Sequence, residues 1–294
     1  MTPAVSVCIP AFQSEAYIAA TIRSVRAQTF TDWELVVVDD CSTDDTLKAA
    51  TAASATDARI RITRNETNLG PAANWNHAVA ATKAPFVKLL CSDDTLAPTC
   101  LERQVTALTQ DTNHKAALVA SRRDIIDANG AVLIHDRGLG KMSGRVSGQT
   151  AIRQCIRAGT NLLGEPSFVL MRRATLDAVG GFDERWSYTI DLECYWRMLR
   201  DHDLIAVAET LGAFRVSQSA WSARLAGQQR AEARDLLRHI RATDDSPASK
   251  LDIALGSVRS AALQQGRRVL VKARGRRTRG PATRTRSPED HPEP

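Results

Sequence analysis

Val36-Val37-Val38-Asp39-Asp40-Cys41-Ser42-Thr43-Asp44 is the end of a β-branched run, Glu34–Val38, that stops on two carboxylates and passes into small polar residues. Ser42 followed by Asp45 resembles a capping box for a helix through about Ser54. Upstream, Val5–Ile9 is a short apolar run, and Ser14–Gln28 places Ile18, Ile22 and Val25 at helical spacing. Downstream, Arg59–Thr63 reads as a strand and Pro71–Thr82 as a helix with Pro at its start. Phe86–Leu90 is a fourth strand ending at Ser92-Asp93-Asp94, and Pro98–Leu108 a further helix. Strand and helix alternating at this rhythm predict an α/β fold, a parallel sheet with helices on both faces. Ligands of such sheets bind outside the carboxyl ends of the strands. Asp39, Asp40, Asp93 and Asp94 all fall there.

The second half is less regular. Ala117–Ser121 and Ala131–Ile134 read as strands joined through Asn129-Gly130, a hairpin signal. A helix around Thr150–Arg157, a strand at Ser167–Met171 and an aromatic-rich helix from Ile190 to Arg200 follow. Leu204–Ala208 and Ala213–Val216 read as two short strands, and Gln228–Ile240 and Leu251–Leu263 as helices. From Gly266 onward Arg, Gly, Pro, Ser and Thr dominate without an apolar period, which predicts a disordered tail.

The chain has 294 residues, 43% apolar and 24% charged, an ordinary globular composition that excludes a fully disordered or rod-like chain. Its net charge is +6, and Arg267 to Pro294 hold nine basic and three acidic residues. The basic surplus therefore lies in the tail and the globular part is neutral, which argues against specific nucleic-acid recognition by the fold. The six cysteines are scattered without a C-x-x-C pair or a His at zinc spacing, which predicts reduced thiols and a cytosolic setting. No signal-type segment opens the chain, and no run approaches the ~20 apolar residues of a spanning helix.

Asp93-Asp94 has two local readings. Adjacent carboxylates at a sheet rim repel and need a cation or hydrogen-bond donors, and oxygen ligands with room for phosphate suit Mg²⁺ or Mn²⁺. Alternatively Asp94 caps the helix near Pro98 and Asp93 is solvated. At Asp39-Asp40 a carboxylate suits the imide N–H of a uracil or thymine ring, while Ser42 and Asp45 cap the next helix and Asp44 is solvated charge.

The motifs together resemble glycosyltransferase family 2. Val5-Ser6-Val7-Cys8-Ile9-Pro10-Ala11-Phe12, Gln28-Thr29-Phe30 and the Val36–Thr46 stretch match its start. Asn68-Leu69-Gly70-Pro71 to Asn76, Leu90–Asp94, and Arg172 through Gly180-Gly181-Phe182-Asp183-Glu184, Asp191 and Trp196-Arg197 continue it in order, covering about residues 4 to 220. The resemblance implies a GT-A type, Rossmann-like fold over residues 1–225, with a nucleotide-binding half (1–110) and an acceptor-binding half (111–225). A helical extension (226–265) and the basic tail (266–294) would follow. It implies that Asp40 reads a pyrimidine base, that Pro10, Phe12 and Glu15 wall the nucleotide, and that Asn68 lies near the diphosphate. Asp93 would face the ribose or sugar, Asp94 would bind the divalent metal, and Asp191 would be the catalytic base. One base and one metal imply inversion in transfer from a UDP- or dTDP-sugar to a hydroxyl of a glycan or lipid-linked acceptor of bacterial surface polysaccharide synthesis.

Four positions depart from the family pattern: Ile190 replaces a frequent second acid, Trp75 a frequent Arg, Ser217 the His of Arg-x-His, and Gln13 an Asn. Ile190 and Ser217 leave a catalytically degenerate nucleotide binder as one alternative, and the basic tail leaves a nucleic-acid-binding protein acting through it as another. Nucleotidyl transfer is disfavoured, because Pro10–Tyr17 has neither a glycine nor a basic residue. The tail is a candidate for peripheral contact with the inner membrane face. His77, Trp33 and Trp221 read as structural. Trp186 and Tyr188 read either as core or as an acceptor platform, and Glu165-Pro166-Ser167 as a contact to sugar or acceptor.

Overall fold

Alternate residues of the first strand face two different cores. In β1 (Val5–Ala11), Val5, Val7, Ile9 and Ala11 pack on one side of the sheet and Cys8 on the other. β2 (Trp33–Asp39) repeats the pattern, Leu35 and Val37 against Val36 and Val38. Such two-sided burial requires helices on both faces, each buried Val, Leu or Ile contributing ~1.5–3 kcal/mol. The structure is a computed structural model that describes residues 2–217, 229–243 and 247–260. Residues 218–228, with Trp221, and 261–294, with the basic tail, lie outside the described residues.

β1, β2, β3 (Ile60–Arg64) and β4 (Phe86–Leu89) are parallel, in the order β3-β2-β1-β4. The chain leaves β1 towards β2 on one side and returns to β4 on the other, so the crevice at their carboxyl ends is a topological switch point. α1 (Ile18–Arg26), α2 (Thr46–Ser54) and α4 (Cys100–Thr109) cover one face, and α3 (Pro71–Ala80) the other.

The sheet continues through the second half. β5 (Thr95–Leu96), β6 (Ala116–Ile126), β7 (Val132–Arg137), β8 (Gly144–Ser147), β9 (Val169–Arg172) and β10 (Asp203–Arg215) complete ten strands. β9 lies antiparallel between β4 and β6, while β6 and β10 are parallel, so the sheet is mixed with a parallel majority in its first half. The β6–β7 hairpin turns at Asp127–Gly130, where Gly130 has φ +89°. The two short strands expected near 204 and 213 are one strand, whose register shifts around Thr210 absorb the polar Glu209-Thr210 break. The strand expected from Ser167 begins at Val169, because Pro166–Phe168 forms a 3₁₀ turn.

α5 (Gly148–Ala158), α6 (Arg173–Ala178) and α7 (Ile190–Leu199) stand on the α3 side. So does α8 (Gln229–Arg241), whose Leu236 and Ile240 enter the same core, and residues 250–260 are helical. Among the described residues no helix is long and apolar enough to cross a membrane.

Gly148 starts α5 where it passes beneath the end of α7. A Cβ there would lie 2.0 Å from the Leu199 carbonyl oxygen and 2.3 Å from that of His202. Both are backbone atoms that cannot rotate away. Gly148→Ala should therefore cost at least ~2 kcal/mol and lower the melting temperature by roughly 4–8 °C in a thermal unfolding scan. An unchanged midpoint would mean that α5 and α7 can separate freely.

Candidate active site

The loop after β1 is laced to the loop after β2. Gln13, at φ +51°, accepts from Thr43 N at 2.8 Å through Oε1, and its own N donates to Ser42 Oγ at 3.0 Å. The extra methylene relative to Asn is thus used to reach across the rim. Ser42 does not cap α2; Asp44 does so locally, accepting from Thr46 N at 3.1 Å, so the Ser42–Asp45 capping box does not form. Of the residues expected to wall a nucleotide, Pro10 is buried in β1 and Phe12 is 43% exposed at the rim. Glu15 is exposed and accepts from Asp45 N at 3.0 Å, which braces the start of α2.

Asp40 is 2% exposed, and its carboxylate holds the next loop. Oδ1 accepts from Asn65 Nδ2 and Leu69 N, both at 2.8 Å, and Oδ2 from Gly70 N at 3.0 Å. Asn68 Nδ2 donates to the Asp40 carbonyl at 3.1 Å. The neighbouring Asp39 is buried beside Arg64, 3.6 Å away.

Asp94 gathers three distant segments. It is fully buried; Oδ2 accepts from Ser167 Oγ at 2.6 Å and Oδ1 from Arg215 N at 2.9 Å. Arg215 also donates from Nε to the Asp93 carbonyl and from Nη1 to that of Asp127, with its guanidinium 4.7 Å from the Tyr17 ring centre. Burial, with the Asp93 charge beside it, raises the Asp94 pKa well above the carboxylate range. Burial pushes Asp93 up to about 6, with Arg215 opposing and Glu165 adding to the rise. Asp94 does not cap the following helix, whose first turn follows Thr99.

Asp191 stands in the first turn of α7. Oδ2 accepts from Asn161 Nδ2 at 2.9 Å and Oδ1 from Leu192 N at 2.7 Å. Burial raises its pKa to about 7; the nearby Glu165 charge adds to this, while the two hydrogen bonds oppose it. The segment from Asn161 to Ser167 thus reaches both carboxylates, Asn161 bonding Asp191 and Ser167 bonding Asp94. Glu165 between them pairs with the buried Arg123 at 2.8 Å.

Asn161 and Arg123 are neighbours of these carboxylates that spacing alone does not single out, whereas Ser167 lies in the Glu165-Pro166-Ser167 stretch and Arg215 in the Arg-x-His position noted in the sequence. Trp75 and Asn76 serve the Gly180-Gly181-Phe182 turn: the Trp75 and Phe182 rings meet edge to face at 5.2 Å, and Asn76 bonds both N and O of Phe182. Trp75 therefore occupies its position as packing. Arg197 bonds the carbonyls of Val179 and Gly181 and pairs with Glu193, fixing α7 to the same turn. Trp186, 9% exposed, is core.

Among the described residues no group of three or more His, Cys, Asp and Glu could hold a metal by itself. Asp94 with Asp93 offers hard oxygen ligands only, the donor set that Mg²⁺ or Mn²⁺ takes when substrate phosphates complete the shell. The residues therefore fit a divalent ion shared with a diphosphate.

A switch-point crevice with an acidic strand end, joined through one segment to a half-buried carboxylate on a helix of the second half, accompanies a match to glycosyltransferases of the GT-A fold. Residues 6–180 match the family model described as glycosyl transferase family 2, and the chain belongs to that family. It is 34% identical over 217 residues to the succinoglycan biosynthesis protein ExoU of Rhizobium meliloti, covering 71% of this chain and 58% of ExoU. It is 37% identical over 103 residues to the putative teichuronic acid biosynthesis glycosyltransferase TuaG of Bacillus subtilis, 35% of this chain and 41% of TuaG. The chain thus spans less than two thirds of the length of both. Among solved structures, S. aureus TarS 1-349 in complex with UDP-GlcNAc superposes with TM-score 0.65 at 20% identity, over 83% of this chain and 68% of that one. The mannosyltransferase PcManGT from Pyrobaculum calidifontis, in complex with GDP-Man and Mn²⁺, gives 0.61 at 15% identity over 95% and 83%.

Removing the Asp40 carboxylate leaves the Leu69 and Gly70 N–H groups and one Asn65 amide N–H without this acceptor. Asp40→Ala should cost about 2 kcal/mol of stability, read from the midpoint of urea denaturation. A midpoint equal to wild type would show that the 65–70 loop holds without it.

Proposed function

We propose that the chain is an inverting transferase that moves a sugar from a UDP- or dTDP-sugar to a hydroxyl of a glycan or lipid-linked acceptor in bacterial polysaccharide synthesis. The observation that carries this reading is the Asn161–Ser167 segment, which ties Asp94 to Asp191 and so links a phosphate-side carboxylate to one suited to take a proton. The named relatives in succinoglycan and teichuronic acid synthesis support the substrate class.

In this reading Pro10, Phe12 and Glu15 wall the nucleotide, and Asp40 accepts the imide N–H of a pyrimidine. Asn68 lies towards the diphosphate, Asp93 towards the ribose or sugar, and Asp94 would hold Mg²⁺ or Mn²⁺. A bound divalent ion supplies charge neutralisation on the leaving diphosphate. Asp191 accepts the proton of the acceptor hydroxyl as that oxygen attacks the anomeric carbon from the face opposite the nucleotide. Asn161 and Leu192 N orient the carboxylate, and burial raises its proton affinity to suit neutral pH.

A base with a pKa of about 7 is protonated below that pH and inactive. The kcat/KM profile should therefore fall through an acid limb near pH 7, tenfold per unit below it. Asp191→Asn should lose 10²–10⁴-fold in turnover, with UDP affinity in the presence of Mn²⁺ unchanged within about twofold by calorimetry. It should also be no less stable at pH 8, because a carboxyl whose pKa is raised by folding costs stability once ionised. Asp94→Asn should instead lose the Mn²⁺-dependent part of UDP binding along with turnover. Turnover near wild type in Asp191→Asn would remove it as the base.

The nine cations of residues 267–294 also suit peripheral contact with anionic lipid, at most ~1 kcal/mol each and weakening with salt. Flotation with phosphatidylserine liposomes should carry the full chain and leave behind a chain ending at Gln265. Equal flotation of the two would exclude the tail.

A further inference from the structure

α8 reads from sequence as an extension beyond the catalytic domain, yet one of its carboxylates sits at the start of the helix that bears Asp191. Glu232 Oε1 accepts from Ser187 N at 2.9 Å, Tyr188 N at 2.6 Å, Thr189 N at 2.7 Å and Thr189 Oγ1 at 3.1 Å. α7 begins at Ile190, and its N-cap residue Thr189 makes no side-chain capping bond. The turn entering α7 is thus closed from a residue more than forty positions downstream.

The remainder of α8 fixes Glu232 in place. Leu236 and Ile240 are each 2% exposed in the core. The His239 ring lies 5.8 Å from that of Trp186 and 5.3 Å from that of Trp196, between the loop before α7 and α7 itself. Residues 232, 236, 239 and 240 follow helical i, i+4 and i+3 spacing, so a single face carries both the anchor and the carboxylate. A charge-assisted acceptor at converging N–H groups is stronger and shorter than a neutral one, which suits it to set a position as well as to bind.

We propose that Glu232 is a positioning residue for the transfer reaction: α8 clamps the 187–189 turn and thereby fixes where the Asp191 carboxylate stands. The inference rests on the reading of Asp191 as the base. Asp191 lies two residues beyond the clamped turn and must meet both Asn161 and the acceptor hydroxyl. A displacement of ~1 Å in such a group is enough to cost about 100-fold in rate.

The test compares Glu232→Ala, Glu232→Gln and Asp191→Asn in the full chain, with transfer kinetics, UDP and Mn²⁺ calorimetry and amide hydrogen exchange. Glu232→Ala should lower kcat 10- to 100-fold, with donor KM and UDP affinity within twofold of wild type. Exchange at residues 187–192 should accelerate while β1 and β2 stay protected. Glu232→Gln keeps an oxygen at the same place and should recover most of kcat and of the protection. Wild-type kcat in Glu232→Ala beside an inactive Asp191→Asn would overturn this proposal and leave the base intact. Loss of UDP affinity together with kcat in Glu232→Ala would overturn it too, since the role would then be general folding. An active Asp191→Asn would instead overturn the parent reading.

Discussion

Asp94 is fully buried, and the donors that hold it come from residues 73 and 121 positions further along the chain. Both donors, a serine hydroxyl and a backbone N–H, are neutral. They satisfy the oxygens geometrically but leave the negative charge uncompensated, so its pKa rises. The same two bonds draw the Ser167 segment and the end of β10 onto the carboxyl end of β4, so both halves of the sheet meet at this carboxylate. Lys88 grips that segment from within β4, donating to the carbonyls of Ser167 and Val169 from a fully buried position. The strand thus holds one short stretch of chain at two points, and the site between the halves depends on that grip.

The first half of the sheet was legible because its regularities are local. Two-sided apolar strands, helices at 3.6-residue spacing and carboxylates at strand ends all appear within windows of ten residues, and β1 to β4 with their helices formed as the pattern predicts. The second half was less legible because its decisive contacts are long-range. The two-residue β5 exists only through its pairing with β10, and β8 likewise. The 3₁₀ turn at Pro166–Phe168 is fixed by Ser167 reaching Asp94 and Lys88, which no local window contains. Ser42 and Asp45 show the converse error. The capping-box spacing is present, but Ser42 is taken by Gln13 from another loop.

The carboxylates of the site sort by what neutralises them. Asp39 lies against Arg64 and Glu165 against Arg123, each pair joining two segments of chain, and Glu193 lies against Arg197 one turn on in α7. Asp40 and Glu232 have no such role for charge but accept from converging backbone N–H groups, and each fixes a loop. Asp93, Asp94 and Asp191 remain, and they are the aspartates that burial shifts upward. Arg215 is near but spends its guanidinium on the carbonyls of Asp93, Asp127 and Ala128.

That division has a physical consequence for how such a site is built. A carboxylate compensated by arginine is a weak base and a poor metal ligand, since its lone pairs and charge are already committed. One held only by neutral donors keeps its affinity for a proton or a cation, at a cost in stability that the surrounding fold must offset. Asp94 and Asp191 are both of this kind, and each is held from two sides rather than one. The arginine pairs and the Asp40 and Glu232 clamps supply the rigidity that allows two carboxylates held only by neutral donors, Asp94 fully buried and Asp191 half-buried, to keep their places.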